Sequence, residues 1–285
     1  MAPKISVVIP TYNRSEKVQR AIQSVISQTY KFWELVIVDD GSTDDTLISL
    51  DSLNTHDDHI QIHSRPHGGA AASRNFGIGK ATGEWIGFLD SDDWWHPEKL
   101  QQQVLDIQNN PFTKIFHTEE CWIRNGKPAF PQKKHRKQSG EIFEQAVQLC
   151  PISMSTVLVH RSLFNELGYF DSSYPVCEDY DFWLRSLWKY PVYLNSSLLV
   201  TQFAETSDQL SKKFVALDYY RVKSLVKIIK NEHISEQKKV VAVASATRRC
   251  ELLLRGYKKH SNMKHYDEIE RIYKELICVS LGKFN

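Results

Sequence analysis

Residues 85–95 read WIGFLDSDDWW, an apolar run that ends abruptly in Asp90, Asp92 and Asp93. Ionised carboxylates cost free energy to bury unless they are paired or bind a metal. Three of them at the end of a hydrophobic strand therefore call for a cation. Asp90-Ser91-Asp92 has the D-x-D spacing that lets two carboxylates converge at a strand end. Oxygen ligands of this type suit Mg²⁺ or Mn²⁺, ions that usually also hold substrate phosphates. Acidic turns are common, and D-x-D alone is a weak signal. Its weight comes from following three earlier strand-like segments, two of which carry polar strand ends of their own.

Those segments are set by the apolar pattern. Ile5 to Ile9 is a β-branched run ended by Pro10, as expected of a fully buried strand. Asn13 and Glu16 predict a capping box at the head of a helix carrying Val18, Ile22, Val25 and Ile26. Leu35 to Val38 is a second strand, ended by Asp39-Asp40-Gly41-Ser42; Ser42 is expected to cap the next helix, with Asp45 three residues on. Ile60 to His63 is a third, weaker strand. Gly68-Gly69 opens a small-residue helix through Ala81, which Gly83 stops. Trp85 to Leu89 is the fourth strand. Such alternation makes a parallel sheet covered by helices on both faces, and ligands sit outside the carboxyl ends of its strands. Pro10 to Arg14, Asp39-Asp40 and Asp90 to Asp93 should all face one crevice.

After Pro97, which suits a first helical position, a helix runs to about Asn109. The pattern then changes. Lys114 to Ile123 reads as a strand, Lys127 to Gly140 as a polar, basic loop, and Gly140 to Leu149 as a helix. Ser155 to His160 is another strand and Leu163 to Leu167 a short helix. Glu178 to Lys189 is a helix with Asp181 and Arg185 paired four apart. Val192 to Phe203 returns as a strand, and from about Ser211 the chain reads as all-helical.

A length of 285 residues allows one large domain, with or without an appendage. A net charge of +2 gives no global drive toward nucleic acid, which is not expected as a partner. The five cysteines are scattered, with neither zinc-ligand spacing nor a disulfide framework. No signal peptide is visible, and no apolar run approaches the length of a membrane span. A cytoplasmic protein is expected, with peripheral contact at the cytoplasmic membrane face left open.

Residues 5–14 (ISVVIPTYNR), 38–44 (VDDGSTD), 73–77 (SRNFG), 81–93 (ATGEWIGFLDSDD) and 178–181 (EDYD) resemble, in order, the successive motifs of family 2 glycosyltransferases. The likeness covers roughly residues 4–210. Five motifs in order are far more specific than one. The resemblance implies the GT-A fold, an α/β architecture with a Rossmann-like, mostly parallel central sheet and flanking helices. Residues 1–95 would form the nucleotide-sugar half and 96–210 the acceptor half, followed by a helical region over 211–285. It further implies an inverting enzyme that uses Mn²⁺ or Mg²⁺. The donor would be a nucleotide-diphospho-sugar, most often UDP-linked. The acceptor would be a hydroxyl of a carbohydrate or lipid-linked molecule, in the building of a surface glycan.

The same resemblance assigns roles. Pro10, Thr11, Tyr12 and Arg14 fall where the family holds the nucleoside; Tyr12 can lie against a base and Arg14 can reach a phosphate. Asp39 matches the uracil-reading acid, since a carboxylate can accept from uracil N3–H, and Asp40 is expected to support the turn or, with Ser42, to cap the following helix. Arg74 falls near the base and diphosphate. Asp90, with Ser91 beside it, is expected at the ribose hydroxyls and the metal's water shell, and Asp92 as the direct metal ligand. Asp93 would hold Asp92 or approach the donor sugar. Glu178 and Asp179 match the catalytic acid pair, with Asp179 as general base and Glu178 orienting it or meeting the acceptor. The residues alone equally suit two first-turn acids stabilised by a helix dipole. Trp94 and Trp95 are either a sugar platform or core. Cys177 reads as structural and His67 as a loop residue.

One departure stands out. Many relatives carry a histidine where this chain has Thr206, within Ala204-Glu205-Thr206-Ser207. That leaves metal contact from this side to Glu205 or water, and keeps open a nucleotide-sugar-binding protein without transfer activity. A sugar nucleotidyltransferase is the other alternative. It would need a Gly-rich, basic loop after the first strand, which Pro10 to Arg14 lacks. Finally, Lys133-Lys134-His135-Arg136-Lys137 is a basic run in a chain of near-zero net charge. It is either a solvated loop or a cover that attracts an anionic acceptor.

Overall fold

A computed structural model of the chain describes residues 2–51, 59–129, 136–203 and 217–280. Strand and helix alternate at first: β1 (Ile5–Thr11), α1 (Ser15–Ile26), β2 (Trp33–Asp39), α2 (Thr46–Asp51), β3 (Ile60–Ser64), α3 (Gly69–Lys80) and β4 (Trp85–Phe88). β1 lies between β2 and β4, and β2 beside β3, all in parallel. All of β2 and nearly all of β1 is buried, as both faces are covered. Ile5, Val7 and Ile9 enter one core with Ile22 and Val25 of α1, while Val8 enters the other with Ile78 of α3.

The rest of the sheet is built from β5 (Trp94–Trp95), β6 (Ile115–Arg124), β7 (Lys127–Ala129), β8 (Leu158–His160) and β9 (Tyr193–Phe203). Helices α4 (Lys99–Asn109), α5 (Phe143–Gln148), α6 (Ser162–Leu167) and α7 (Glu178–Leu187) flank it. The strand order is β3-β2-β1-β4-β8-β6-β9-β5, with β7 paired to β6. The long pairings are parallel and the antiparallel ones short. The expected α/β class therefore holds. Among the described residues three helices follow: α8 (Leu217–Ile229), α9 (Glu236–Lys259) and α10 (Tyr266–Ser280). Val222 and Leu225 of α8, Ala246 and Cys250 of α9 and Ile269 of α10 share one core with Val147 of α5 and Tyr180 and Trp183 of α7. Among the described residues, no helix is long and apolar enough to cross a membrane.

Several local expectations fail, the first two because the side chain finds a partner from elsewhere in the fold. Asn13 forms no capping box. It sits at φ +51°, its Oδ1 accepts from Thr43 N (2.8 Å), and its own N–H donates to Ser42 Oγ (2.9 Å). Ser42 is thereby taken from the helix it was expected to cap, and Asp44 Oδ1 accepts from Thr46 N instead (3.0 Å). These exchanges fasten the β1 exit to the β2 exit. Ser155 and Thr156 lie in a 3₁₀ turn (Met154–Thr156) ahead of β8, not in the strand. The expected loop from Lys127 begins with β7, a hairpin partner of β6.

Glu34 is the knot of the sheet's opposite end. Lys4 pairs with it at 2.8 Å, and Ser6 Oγ, Thr82 N, Thr82 Oγ1 and Gly83 N all donate to its carboxylate. Gly83 is required by this closeness, for a Cβ there would meet Ser6 Oγ at 2.6 Å. Burial alone would raise the carboxyl's pKa, but the hydrogen bonds outweigh it and hold the value at about 2. A depressed carboxylate contributes stability that is present above its unfolded pKa and lost as pH falls through the folded one. Glu34→Gln is therefore expected to cost about 3 kcal/mol at pH 7, with the deficit shrinking as pH falls from about 4.5 toward 2. Urea denaturation across that range measures it. A deficit independent of pH would assign the effect to packing.

Candidate active site

The sheet register brings the polar strand ends to one level. Thr11 stands opposite Asp39, and Asp39 opposite Ser64. Asp39 is fully buried. Its Oδ2 accepts from Gly41 N (3.2 Å), Ser42 N (3.1 Å) and Ser64 Oγ (3.3 Å). Its Oδ1 is buried with no hydrogen-bond partner among the described residues, and so is the neighbouring Thr11 Oγ1. A buried, unmatched polar atom is costly and asks for an explanation; two side by side suit a ligand that supplies the missing partners.

Asp40 has a different task. It accepts from Gly69 N (2.7 Å), Gly68 N and Ser73 Oγ (2.7 Å), and pairs with Arg65. It thus caps α3 rather than α2, and ties the β2 exit to the segment that leads into α3. His67 Nδ1 lies 2.8 Å from the same carboxylate, and its ring stacks on Tyr12 with centroids 4.3 Å apart. His67 is therefore built into the Tyr12 platform, which nothing in the sequence signals.

The Asp90–Asp93 turn is crowded with like charge. Burial raises the pKa of Asp92, Asp90 raises it further, and Arg14, 3.5 Å away, pulls it back. Asp93 is pushed well up by burial and by Asp90 and Asp92. It turns inward, accepting from Ser155 Oγ (2.5 Å), while Asp90 N donates to that hydroxyl (3.1 Å). Arg20 of α1 donates to the Asp92 carbonyl (2.8 Å) and lies 3.7 Å from the Phe203 ring centre. Ser91 is buried within the turn. Among the described residues, no three His, Cys, Asp or Glu side chains form a ready-made metal cage. A Mg²⁺-type site needs only one or two carboxylates beside substrate phosphates. Asp90 and Asp92, close enough that the charge of one raises the pKa of the other, fit that pattern.

Arg74 joins the two halves of the site. Its guanidinium is buried, 2.8 Å from Asp90 and 2.5 Å from Glu178. Burial works against its charge, but Asp90 and Glu178 more than restore it. Glu178 and Asp179 open α7 after Cys177, which adopts a left-handed φ of +64°. Glu178 is raised by burial, with Arg74 opposing. Asp179 is half-buried; its Oδ1 accepts from Tyr180 N (2.7 Å) and its Oδ2 from the Cys150 thiol (3.4 Å). The neighbouring acids thus differ: Glu178 is bound to a cation, whereas the hydrogen bonds of Asp179 come from neutral donors.

Two open readings are narrowed here. Trp95 is fully buried and donates to Ser155 O (2.6 Å), so it is core and not a sugar platform. The basic run does not act as a unit. Lys137 is buried, 3.1 Å from Glu120, and donates to Thr118 O (2.9 Å). Arg136 is exposed, and residues 133–135 lie outside the described residues. So do Glu205 and Thr206.

The family profile described as "Glycosyl transferase family 2" matches residues 6–168. This chain belongs to that family. The match includes the β1, β2 and β4 exits and Arg74, and ends before Glu178. Over 164 residues the chain is 41% identical to an uncharacterized glycosyltransferase of Rickettsia felis, a match that covers 57% of this chain but only 27% of that protein. It is 33% identical to the Escherichia coli UDP-Glc:alpha-D-GlcNAc-diphosphoundecaprenol beta-1,3-glucosyltransferase WfgD, over 64% of this chain and 69% of that protein. Among solved structures, S. aureus TarS 1-349 in complex with UDP-GlcNAc shares the fold, with a TM-score of 0.77 and 21% identity over 96% of this chain and 81% of that one. The chain has the GT-A architecture.

Proposed function

We propose that this protein transfers a sugar, with inversion, from a UDP-linked donor to an acceptor hydroxyl in surface-glycan assembly. One observation carries the UDP reading: the adjacent unmatched polar atoms Thr11 Oγ1 and Asp39 Oδ1 at the β1 and β2 exits. Uracil N3–H would satisfy Asp39, with the ring against Tyr12 and His67 behind it. Pro10 shapes the strand exit, Arg14 and Arg74 lie on the diphosphate side, and Asp90 accepts from the ribose hydroxyls. Asp92, with Asp90, would hold a divalent cation, which when bound neutralises the charge on the departing diphosphate. On the other side, Asp179 takes the acceptor's hydroxyl proton as the acceptor oxygen forms its bond to the sugar's anomeric carbon; the bond to UDP breaks, and UDP leaves with the electron pair. WfgD, with its UDP-glucose donor and diphospholipid-linked acceptor, supports the same class of reaction.

Two measurements test this reading. Incubated with UDP- and GDP-sugars and Mn²⁺, the protein is expected to release UDP. Binding of UDP with no release under any acceptor would favour a binding protein. By calorimetry UDP is expected to bind tighter than GDP. Asp39→Ala should erase about tenfold or more of that preference, and Asp92→Ala should abolish the gain in UDP affinity on adding Mn²⁺. An unchanged preference, or an unchanged gain, would move that role to another residue.

A further inference from the structure

The C-terminal helices bring a cation to the corner that holds Asp179. The first turn of α8 packs on the start of α7: the Cys177 thiol lies 3.9 Å from Leu217 O. One turn on, the Arg221 guanidinium lies 5.8 Å from the centre of the Tyr180 ring. Tyr180 directly follows Asp179. Burial raises the thiols of Cys150 and Cys177, and Arg221 is near enough to both to offset part of that rise. Cys150 in turn donates to Asp179.

The charge of Arg221 is only partly used. Its Nη1 pairs with Asp218 Oδ1 at 3.2 Å. The same carboxylate oxygen pairs more closely with Arg249, which also donates to Gln148 O at 2.6 Å. Two guanidiniums thus share one carboxylate. Arg221 Nε is buried and has no hydrogen-bond partner among the described residues, while 26% of the side chain stays exposed. A guanidinium offers Nε–H and Nη–H as a fork for two oxygens of a phosphate. Here that fork has an unfilled prong, near the Cys150 thiol that donates to Asp179.

We propose that Arg221 is an anion subsite on the acceptor side, binding a phosphate group of the acceptor next to the hydroxyl that Asp179 deprotonates. The placement rests on reading Asp179 as the base. It transfers to α8 the role that the basic run at 133–137 had suggested, and for which Lys137 is unavailable.

The test uses the whole chain saturated with UDP in metal-free buffer, so that the donor's diphosphate position is filled. Inorganic pyrophosphate is titrated in by calorimetry. Binding is expected, weakened at least tenfold by Arg221→Ala and not weakened by Asp218→Asn, which removes the same ion pair but frees the guanidinium. Equal loss in both variants means that the pair is structural and overturns the proposal, as does pyrophosphate binding that ignores Arg221→Ala or is absent in the parent. Geranyl diphosphate binding tighter than pyrophosphate assigns the phosphate to a lipid headgroup; equal binding assigns it to a phosphorylated glycan. Asp179→Asn is expected to leave pyrophosphate binding intact, so failure of the base reading and failure of this one are read separately.

Discussion

Asp179→Asn is expected to lower the rate of sugar transfer by about 10²- to 10⁴-fold, the usual loss on removing a positioned base, while UDP affinity stays within about twofold. The amide has the shape of the carboxylate and can keep the hydrogen bond from Tyr180 N. It cannot accept a proton. The hydrogen bonds of Asp179 run to Tyr180 N and the Cys150 thiol and not to Arg74, so donor binding should register the change little. The neighbouring acid provides the contrast. Glu178 is bound to Arg74, so Glu178→Gln should disturb the donor side, weakening UDP as well as slowing transfer. Single-turnover transfer with the true acceptor, beside calorimetry of UDP, separates the two. Near-normal turnover of Asp179→Asn would falsify its assignment as the base.

The meeting of the polar strand ends was legible in the sequence because its signals are local and redundant. Buried parallel strands read as unbroken apolar runs, and their ends are marked by the sudden polarity of Asp39-Asp40 and Asp90 to Asp93. The sheet then aligns those ends without further instruction. What stayed hidden depends on partners far along the chain. Asn13, Ser42 and Asp44 are chemically interchangeable as caps; which of them caps is decided by whether a remote N–H, such as Thr43 N at Asn13, arrives first. Lys137 belongs by composition to a solvated run, yet Glu120 draws it inside. No spacing rule links His67 to Tyr12, or Ser155 to Asp93, because each pair meets only when separate elements dock. The same holds for Arg221, whose place beside α7 follows from the core that α8 shares with it.

Arg74→Ala is expected to cost about 3–5 kcal/mol of stability near neutral pH, the range for breaking a buried ion pair from one side. Asp90 and Glu178 both lean on this one guanidinium, Glu178 across a sequence separation of 104 residues. Its removal leaves Glu178 ionised in a buried place, where burial already raises its pKa. For a carboxyl whose folded pKa is raised, the folded state is favoured below that pKa and penalised above it. Without Arg74 the rise is larger, so acidification should relieve the mutant more than the parent. The deficit should therefore be greatest above pH 7 and shrink toward pH 5. Arg74→Lys keeps the charge but not the fork, and a single ammonium cannot match both carboxylates; it should fall between the two. Urea denaturation at pH 7.5 and pH 5 gives the comparison, and UDP calorimetry on the same samples shows whether Asp90 has lost its place. A loss under about 1 kcal/mol, or a deficit that does not shrink on acidification, would mean that Arg74 is a solvent-screened pair and that the two halves of the site are held together by the sheet alone.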